Sequence, residues 1–289
     1  MINISGNKTG LYCIIGMPAH HSLSPAIQNA GFNAKSIDAV FLAFDVDAKG
    51  LENAIKGIKA YGIKGMTLTS PHKEKVIKYL DNIDHFAKML GAVNTVVNKN
   101  NVLYGYNTDA IGFINALKSQ RISLKSKNIS IIGAGGAAKA FVFSLIYFAN
   151  VSKINVINRT LKHANLLKQN AETHFAGKEI PIYKLYSKKA ESVLAGSDII
   201  INATNITLEN DRFTPVPKRI LNKNMVVFDA NYSPLNNRLI KEANEVGCKT
   251  ISGIELLVFQ GIAAFNLFTN LKISYKIMKQ AASAAIKNK

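Results

Sequence analysis

Between Asn128 and Ala140 the chain reads NISIIGAGGAAKA, in which a short apolar run from Ile129 to Ile132 stops abruptly at Gly133-Ala134-Gly135-Gly136-Ala137-Ala138. An apolar run of that length closed by glycines predicts a strand, a tight turn and the start of a helix. Gly133 lets the backbone turn, Gly135 lets a bulky anion approach without meeting a Cβ, and Ala138 keeps the helix close to the strand. The pattern is Gly-x-Gly-x-x-Ala. The first-turn N–H groups of such a helix have no partners inside it, so with the helix dipole they form a site for a pyrophosphate. Glycine-rich turns also arise for structural reasons alone, and the surroundings must carry the rest.

Those surroundings are a βαβ unit. Ala137 to Ala149 is an apolar helix too short to span a bilayer, and Lys153 to Ile157 follows as a second strand. At the end of that strand a dinucleotide-binding domain selects its cofactor, because an acidic side chain there takes the ribose hydroxyls of NAD and repels a phosphate. The residues here are Asn158-Arg159-Thr160, without an acid, and Arg159 offers a planar fork of donors suited to the 2′-phosphate of NADP. An isolated arginine in a loop is ordinarily a surface residue; its place after this strand argues for the cofactor. Further strands at Ser197 to Ala203, Met225 to Ala230 and Lys249 to Ser252 alternate with helical patterns at Leu161 to Phe175 and Asn237 to Val246, as a doubly wound domain requires.

With 289 residues the chain has room for two domains, and 48% hydrophobic content is that of a soluble globular protein. No stretch reads as a leader or a membrane span, so a cytosolic protein with no membrane partner is expected. Cys13 and Cys248 are far apart in sequence and lack ligand spacing, which predicts free buried thiols rather than a bridge or a zinc site. His20 and His21 have no accompanying carboxylate or Cys set, so no metal is expected. A net charge of +18 raises nucleic acid as a partner, but the lysines are spread along the whole chain. A solvated basic surface, with no nucleic acid bound, is the better account; it should help draw in small anions.

The first half carries its own strands at Leu11 to Gly16, Ala39 to Val46 and Gly65 to Leu68, with a helix at Leu51 to Tyr61, and so reads as a second α/β domain built of βαβ units. After the first strand comes His20-His21-Ser22-Leu23-Ser24-Pro25, in which Ser24 is placed to cap a helix and Pro25 to open it. Ser22 has no such role, and two hydroxyls two residues apart at a strand end can together receive a carboxylate. Thr69-Ser70-Pro71-His72-Lys73 follows the third strand; Lys73 alone would be a surface lysine opening a helix. Gly91-Ala92-Val93-Asn94-Thr95 and Tyr106-Asn107-Thr108-Asp109 each place a short polar residue where an apolar strand stops. Taken singly, Asn94 and Asp109 have ordinary turn or cap roles, and Asp109 does precede the helical pattern Ala110 to Leu117. Ile254 to Phe268 is a helix apolar nearly all round, in which Gln260 would be a buried amide in need of partners, and Ser274 to Lys289 reads as an amphipathic surface helix.

Ser22 to Pro25, Thr69 to Lys73, Gly91 to Thr95, Asn107 to Asp109, Gly133 to Ala137, Asn158 to Thr160, Asn202 to Thr204 and Gly253 to Gln260, in this order and spacing, resemble the shikimate dehydrogenase family from about residue 11 to residue 270. The resemblance implies two α/β domains, an N-terminal substrate domain and a Rossmann-type NADP-binding domain, with C-terminal helices returning to the first. Residues 1–110, completed by 254–289, would form the substrate domain and 111–253 the cofactor domain, with the active site in the cleft between them. It further implies an enzyme of aromatic amino acid biosynthesis that reversibly reduces 3-dehydroshikimate to shikimate with NADP. On this sequence the catalytic pair falls on Lys73 and Asp109, the lysine exchanging a proton with the C3 oxygen while the aspartate holds it. Ser22 and Ser24 fall where the substrate carboxylate binds, with Tyr232 nearby; Thr69, Asn94, Asp109 and Gln260 match positions that hold ring hydroxyls. Gly133, Ala134, Gly135, Gly136, Ala137, Asn158, Arg159, Thr160 and Thr204 would bind the cofactor, and Gly253 would lie beside the nicotinamide.

Several positions depart from the family's pattern. Thr67 stands where Asn is common, which removes an amide able to donate and accept at once and can loosen recognition of a ring hydroxyl. Tyr106 and Ala110 replace the acid and glycine that usually flank Asn-Thr-Asp, His163, beside Lys162, stands where a second arginine is typical, and Asn205 to Leu208 lacks the common Pro-x-Gly-Met. Two other functions compete: a quinate/shikimate dehydrogenase of the same superfamily, often NAD-dependent, and a binding protein that kept the folds and senses NADP(H) without turnover. Monomer and homodimer are both open to the chain.

Overall fold

The structure, a computed structural model, describes residues 4–151, 153–205, 213–232 and 237–287. It divides into two compact units, Met1–Gly112 with Val258–Lys289, and Phe113–Leu257. No helix among the described residues is long and apolar enough to cross a membrane. Cys13 and Cys248 are free and buried, and burial pushes the Cys13 thiol up to about 12.

In the first unit β1 (Gly10–Gly16), α1 (Ser24–Ala34), β2 (Ala39–Asp45), α2 (Leu51–Ala60) and β3 (Gly65–Leu68) follow the expected alternation, with β1 parallel to both β2 and β3. A 3-10 turn over Lys75–Tyr79, β4 (Asn82–Ile83), α3 (His85–Leu90), β5 (Thr95–Lys99), β6 (Val102–Tyr106) and α4 (Thr108–Ser119) come next. The sheet order is β2-β1-β3-β5-β6-β4. It is not built of βαβ units throughout, because β5 runs antiparallel to both of its neighbours. Asn100 and Asn101, at φ 52 and 67, join β5 to β6 by two residues in left-handed conformation, the geometry that matches a hairpin's twist. One face of the sheet buries Cys13, Ile15, Met66, Leu68 and Val96 under Leu51, Ile55 and Ile58 of α2. Its edge strand β2 is covered at one point, where the Asn29 side chain donates to the Phe41 carbonyl at 2.9 Å and accepts the Phe41 N–H at 2.8 Å.

The second unit contains β7 (Asn128–Ile132), α5 (Gly136–Ala149), β8 (Lys153–Asn158), α6 (Leu161–His174), β9 (Ile182–Lys184), α7 (Lys188–Ala195), β10 (Ile199–Asn202), β11 (Val226–Asp229), α8 (Arg238–Glu245) and β12 (Lys249–Ser252). Its strands are all parallel in the order β12-β11-β10-β7-β8-β9. Chain order therefore reverses between β7 and β10, the place where a doubly wound sheet opens a crevice at its carboxyl ends. Within this unit Phe113 stacks on Phe141 with ring centroids 4.2 Å apart and meets Phe228 edge-on at 5.2 Å. Of the Asn205 to Leu208 stretch, residues 206–208 lie outside the described residues.

Two helices close the chain, α9 (Gly253–Thr269) and α10 (Tyr275–Lys287). From Val258 onward they belong to the first unit. Phe265 meets Phe32 at 5.6 Å and Phe268 meets Tyr12 at 5.1 Å, on the sheet face opposite α2, while the Gln28 amide donates to the Gly261 carbonyl at 2.9 Å. Gly112 and Gln260 bring α4 and α9 into backbone contact: a Cβ at Gly112 would lie 2.6 Å from the Gln260 nitrogen. Gln260 itself is half-buried, not buried as its apolar helix suggested; the fully buried glutamine is Gln28.

Candidate active site

Every candidate substrate residue on the first sheet sits at one of its edges. Ser22 and Ser24 follow β1, Thr69 and Lys73 follow β3, and Asp109 follows β6, three strands that run the same way. Asn94 does not close a strand, as the sequence suggested; it precedes β5. Because β5 is antiparallel, with Thr95 opposite Thr67, its beginning lies beside the end of β3 and Asn94 reaches the same edge.

Lys73 Nζ is 2.7 Å from Asp109 Oδ2, with the two side chains 36% and 25% exposed, so the pair is shielded yet open to a ligand. Asp109 is not the helix cap. Asn107 takes that role, its Oδ1 accepting the Ala110 N–H at 3.1 Å while its amide donates to the Ala92 carbonyl at 3.0 Å. Asp109 is left inside the first turn of α4 to face the lysine. The Asn94 Oδ1 accepts the Thr108 N–H at 2.7 Å and the hydroxyls of Thr95 and Thr108 at 3.1 Å each, which pins the start of α4 to the start of β5. Its Nδ2 has no hydrogen-bond partner among the described residues and can donate to a ligand hydroxyl.

The serine cap also differs from expectation. Leu23 flanks α1 and makes no side-chain cap, Ser24 is already helical, and it is Ser22 whose Oγ accepts the Ser24 N–H at 3.1 Å. Ser22 thereby keeps its own proton to donate, and the Ser24 hydroxyl, on a residue 6% exposed, has no partner among the described residues. The Thr69 hydroxyl is likewise unengaged and half-buried. Thr67 is buried with its Oγ1 unpartnered.

On the second unit, a cavity of ≈ 550 Å³ at the β7/β10 reversal is lined by Gly133 to Ala137, Asn158, Arg159, His163, Leu185 and Ala203 to Asn205. Gly133 is at φ 118, and a Cβ there would come 2.9 Å from the Ala203 carbonyl oxygen, so this turn requires glycine. At Gly135 and Gly136 a Cβ would meet nothing within 4 Å and would only fill the cavity. No side chain caps α5. Uncapped N–H groups, an open cradle and Arg159, with no carboxylate in the lining, fit a dinucleotide that carries an additional phosphate. Thr160 and Gly253 do not line this cavity. Thr160 accepts the Asn158 amide on its carbonyl at 2.8 Å. Gly253 opens α9 where a Cβ would lie 2.2 Å from the Ala230 carbonyl oxygen.

Thr204 is held by residues that the sequence did not single out as functional. The Asn202 Oδ1 accepts its N–H at 3.1 Å and its hydroxyl at 2.7 Å, and the Asn202 amide donates to the buried Asp229 at 3.1 Å. Asn231 N–H, at 2.8 Å, and the Asn237 amide, at 3.1 Å, also donate to Asp229, whose burial still raises its carboxyl pKa. The signal was present in the pairing of β10 with β11, which ends on Asn202 opposite Asp229. Tyr232, just beyond, is half-buried, and burial raises its phenol pKa.

Residues 14–96 match the model of the shikimate dehydrogenase substrate binding domain, 115–247 that of shikimate/quinate 5-dehydrogenase, and 253–282 that of the shikimate 5′-dehydrogenase C-terminal domain. A shikimate dehydrogenase (NADP(+)) from Thermococcus kodakarensis is 42% identical over 279 residues, covering 96% of this chain and 98% of that protein. The chain belongs to the shikimate dehydrogenase family. A crystal structure of a shikimate dehydrogenase in complex with NADP+ superposes with a TM-score of 0.90 at 40% identity, covering 99% of this chain and 98% of the other. The Thermus thermophilus shikimate 5-dehydrogenase in complex with NADP(H) and shikimate gives 0.85 at 32% identity, covering 96% and 100%. Of the departures noted in the sequence, Thr67 is a buried hydroxyl without a partner, and His163 lines the glycine-turn cavity together with Arg159.

Proposed function

We propose that the protein is a cytosolic NADP-dependent shikimate dehydrogenase, reversibly reducing 3-dehydroshikimate to shikimate on the route to aromatic amino acids. The observation that carries this reading is the Lys73–Asp109 contact of 2.7 Å at the edge where the unengaged serine and threonine hydroxyls gather. NADPH, when bound, supplies a hydride for the ketone carbon. Lys73 donates a hydrogen bond to the ketone oxygen as negative charge grows there, then gives it a proton; in the oxidative direction it takes that proton back. Asp109 keeps the ammonium oriented. Ser22, Ser24 and Tyr232 receive the substrate carboxylate, and Thr69, Asn94, Asp109 and Gln260 the ring hydroxyls. The glycine turn binds the pyrophosphate, Asn158 to Thr160 and Thr204 hold the adenosine side, Arg159 takes the 2′-phosphate, and Gly253 leaves room for the nicotinamide. Substrate and product are small anions; neither nucleic acid nor membrane enters the scheme.

A broader substrate range is the second reading, favoured by Thr67, whose small hydroxyl leaves more space and fewer fixed donors than an amide. Following NADPH and NADH absorbance with shikimate plus NADP+ and with quinate plus NAD+ separates the possibilities. Turnover confined to the first pair supports the proposal, comparable turnover with quinate establishes the broader enzyme, and binding of NADP(H) without turnover of either acid leaves a regulator.

A further inference from the structure

The loop bearing Ser22 and Ser24 is fastened from outside by one carboxylate. Asp45, the last residue of β2, accepts the Ala19 N–H at 2.5 Å and the His20 N–H at 3.0 Å on Oδ1, and its Oδ2 lies 2.5 Å from His20 Nδ1. Ala19, fully buried, in turn accepts the Ser22 N–H on its carbonyl at 2.9 Å, and the Ser22 Oγ accepts the Ser24 N–H. An unbroken chain of hydrogen bonds therefore runs from the Asp45 carboxylate to both serines. The Ala19 N–H first, then the His20 side chain, hold the Asp45 carboxyl below its usual range, with a smaller part from the His20 N–H.

We infer that Asp45 is a positioning residue for substrate-carboxylate recognition: it sets the geometry of the Ser22–Ser24 loop without touching the substrate. This rests on the reading that the two serines receive the carboxylate. The His20–Asp45 pair is a minor part of it, because the imidazole side chain is 57% exposed and such contacts are screened. The two main-chain N–H groups matter more, being charge-assisted donors that fix backbone rather than a mobile side chain. The lysine loop meets the serine loop where the Met17 N–H donates to the Ser70 carbonyl at 2.9 Å, but Lys73 has fastenings that do not use the Asp45 side chain. His72, fully buried, bonds through Nε2 to the Val46 carbonyl at 2.7 Å, and the Val93 N–H donates to the Lys73 carbonyl at 2.8 Å. Loss of the Asp45 carboxylate should thus release the serines and leave Lys73 in place.

The test is steady-state kinetics of Asp45→Ala, Asp45→Asn and His20→Ala, each alone and combined with Ser22→Ala, with NADPH affinity measured by fluorescence titration as a check on folding. Asp45→Ala should raise KM for shikimate about tenfold, by misplacing binding groups, with kcat and NADPH affinity changed less than about twofold. Asp45→Asn, which keeps an acceptor for both N–H groups, should recover most of the loss, and His20→Ala should change little. In the Asp45→Ala background, Ser22→Ala should add much less than it does in the native chain. Additive effects, equal losses in kcat and KM, or an unchanged KM in Asp45→Ala would overturn the inference. If Ser22→Ala alone leaves KM unchanged, the reading of the serines fails first, and Asp45 falls with it. Should Asp45→Ala not fold, Asp45→Glu, which keeps the charge but displaces the acceptor, must show the same rise confined to KM.

Discussion

Lys73 and Asp109 are 36 residues apart in sequence, yet Nζ and Oδ2 meet at 2.7 Å because Asn94, between them in the chain, binds the first residue of the helix that carries the aspartate. If that contact is catalytic, replacing the ammonium removes the proton donor and little else. Lys73→Ala should lower turnover by about a hundredfold to ten-thousandfold, the usual worth of general acid help, with NADPH affinity nearly unchanged. Turnover close to native in the purified variant would remove Lys73 from the mechanism.

Arg159 is exposed and makes no ion pair among the described residues, so its guanidinium is available to an incoming phosphate. A hydrogen bond to a charged group is worth about 1.5–3 kcal/mol, and Arg159→Ala should therefore weaken use of NADPH by about tenfold or more. NADH, which lacks the 2′-phosphate, should lose much less. Equal losses for both cofactors would mean that the arginine does not read that phosphate.

His163 shares the cavity with Arg159 but presents a smaller donor set than a guanidinium. His163→Arg should tighten binding of adenosine 2′,5′-bisphosphate several-fold, with AMP affinity little altered, as read by calorimetry. No gain for the bisphosphate would place His163 away from the phosphate.

At Gly112 a Cβ would press into the Gln260 backbone, 2.6 Å from its nitrogen and 2.8 Å from its Cα, and neither helix backbone can yield as a side chain would. Gly112→Ala should destabilise the first unit by about 1–3 kcal/mol, the usual range for overpacking. Thermal unfolding would reveal this as a midpoint lowered by several degrees, and an unchanged midpoint would show that the helices can separate without penalty.

Acid sensitivity of the second unit follows from two carboxyls with opposite behaviour. Lys127 Nζ and the Asn128 N–H, both at 2.8 Å, hold the Asp198 carboxyl below its usual range. Stability from a carboxyl lowered on folding is fully present above its unfolded value, about 3.9, and is lost as pH falls through the lower folded value. Asp229 is raised by burial, so its contribution is greatest below the ordinary carboxylate range and declines as pH rises through the raised value. Asp198→Asn should accordingly shrink the loss of thermal midpoint between about pH 7 and about pH 3. An identical loss in the variant would exclude Asp198 as a source of it.

How far the sequence could be read depended on whether a feature was local. The glycine turn after β7 was legible because apolar run, turn and helix lie within thirteen contiguous residues, Asn128 to Ala140. Arg159 was legible because a strand end is a fixed place in a doubly wound sheet. Lys73 and Asp109 were not, since neither has a local pattern that distinguishes a functional residue from a helix opener, and only their family resemblance singled them out. The caps were each misplaced by two residues, Ser24 for Ser22 and Asp109 for Asn107, each a choice between nearby residues of similar chemistry that the local backbone path decides. Asn94 was put at the wrong end of its strand because direction is settled by the Asn100-Asn101 turn and the pairing with β3, neither of which apolar patterning reports.

The amide of Asn29 has a consequence for the protein as a material. By satisfying both the N–H and the carbonyl of Phe41, it denies a neighbouring molecule the template on which ordered stacking could begin at the outermost strand of the substrate sheet. With Leu42 and Phe44 exposed on that same strand, exchange of Asn29 for a residue unable to donate and accept together should turn concentrated or warmed samples cloudy before any change in turnover is seen.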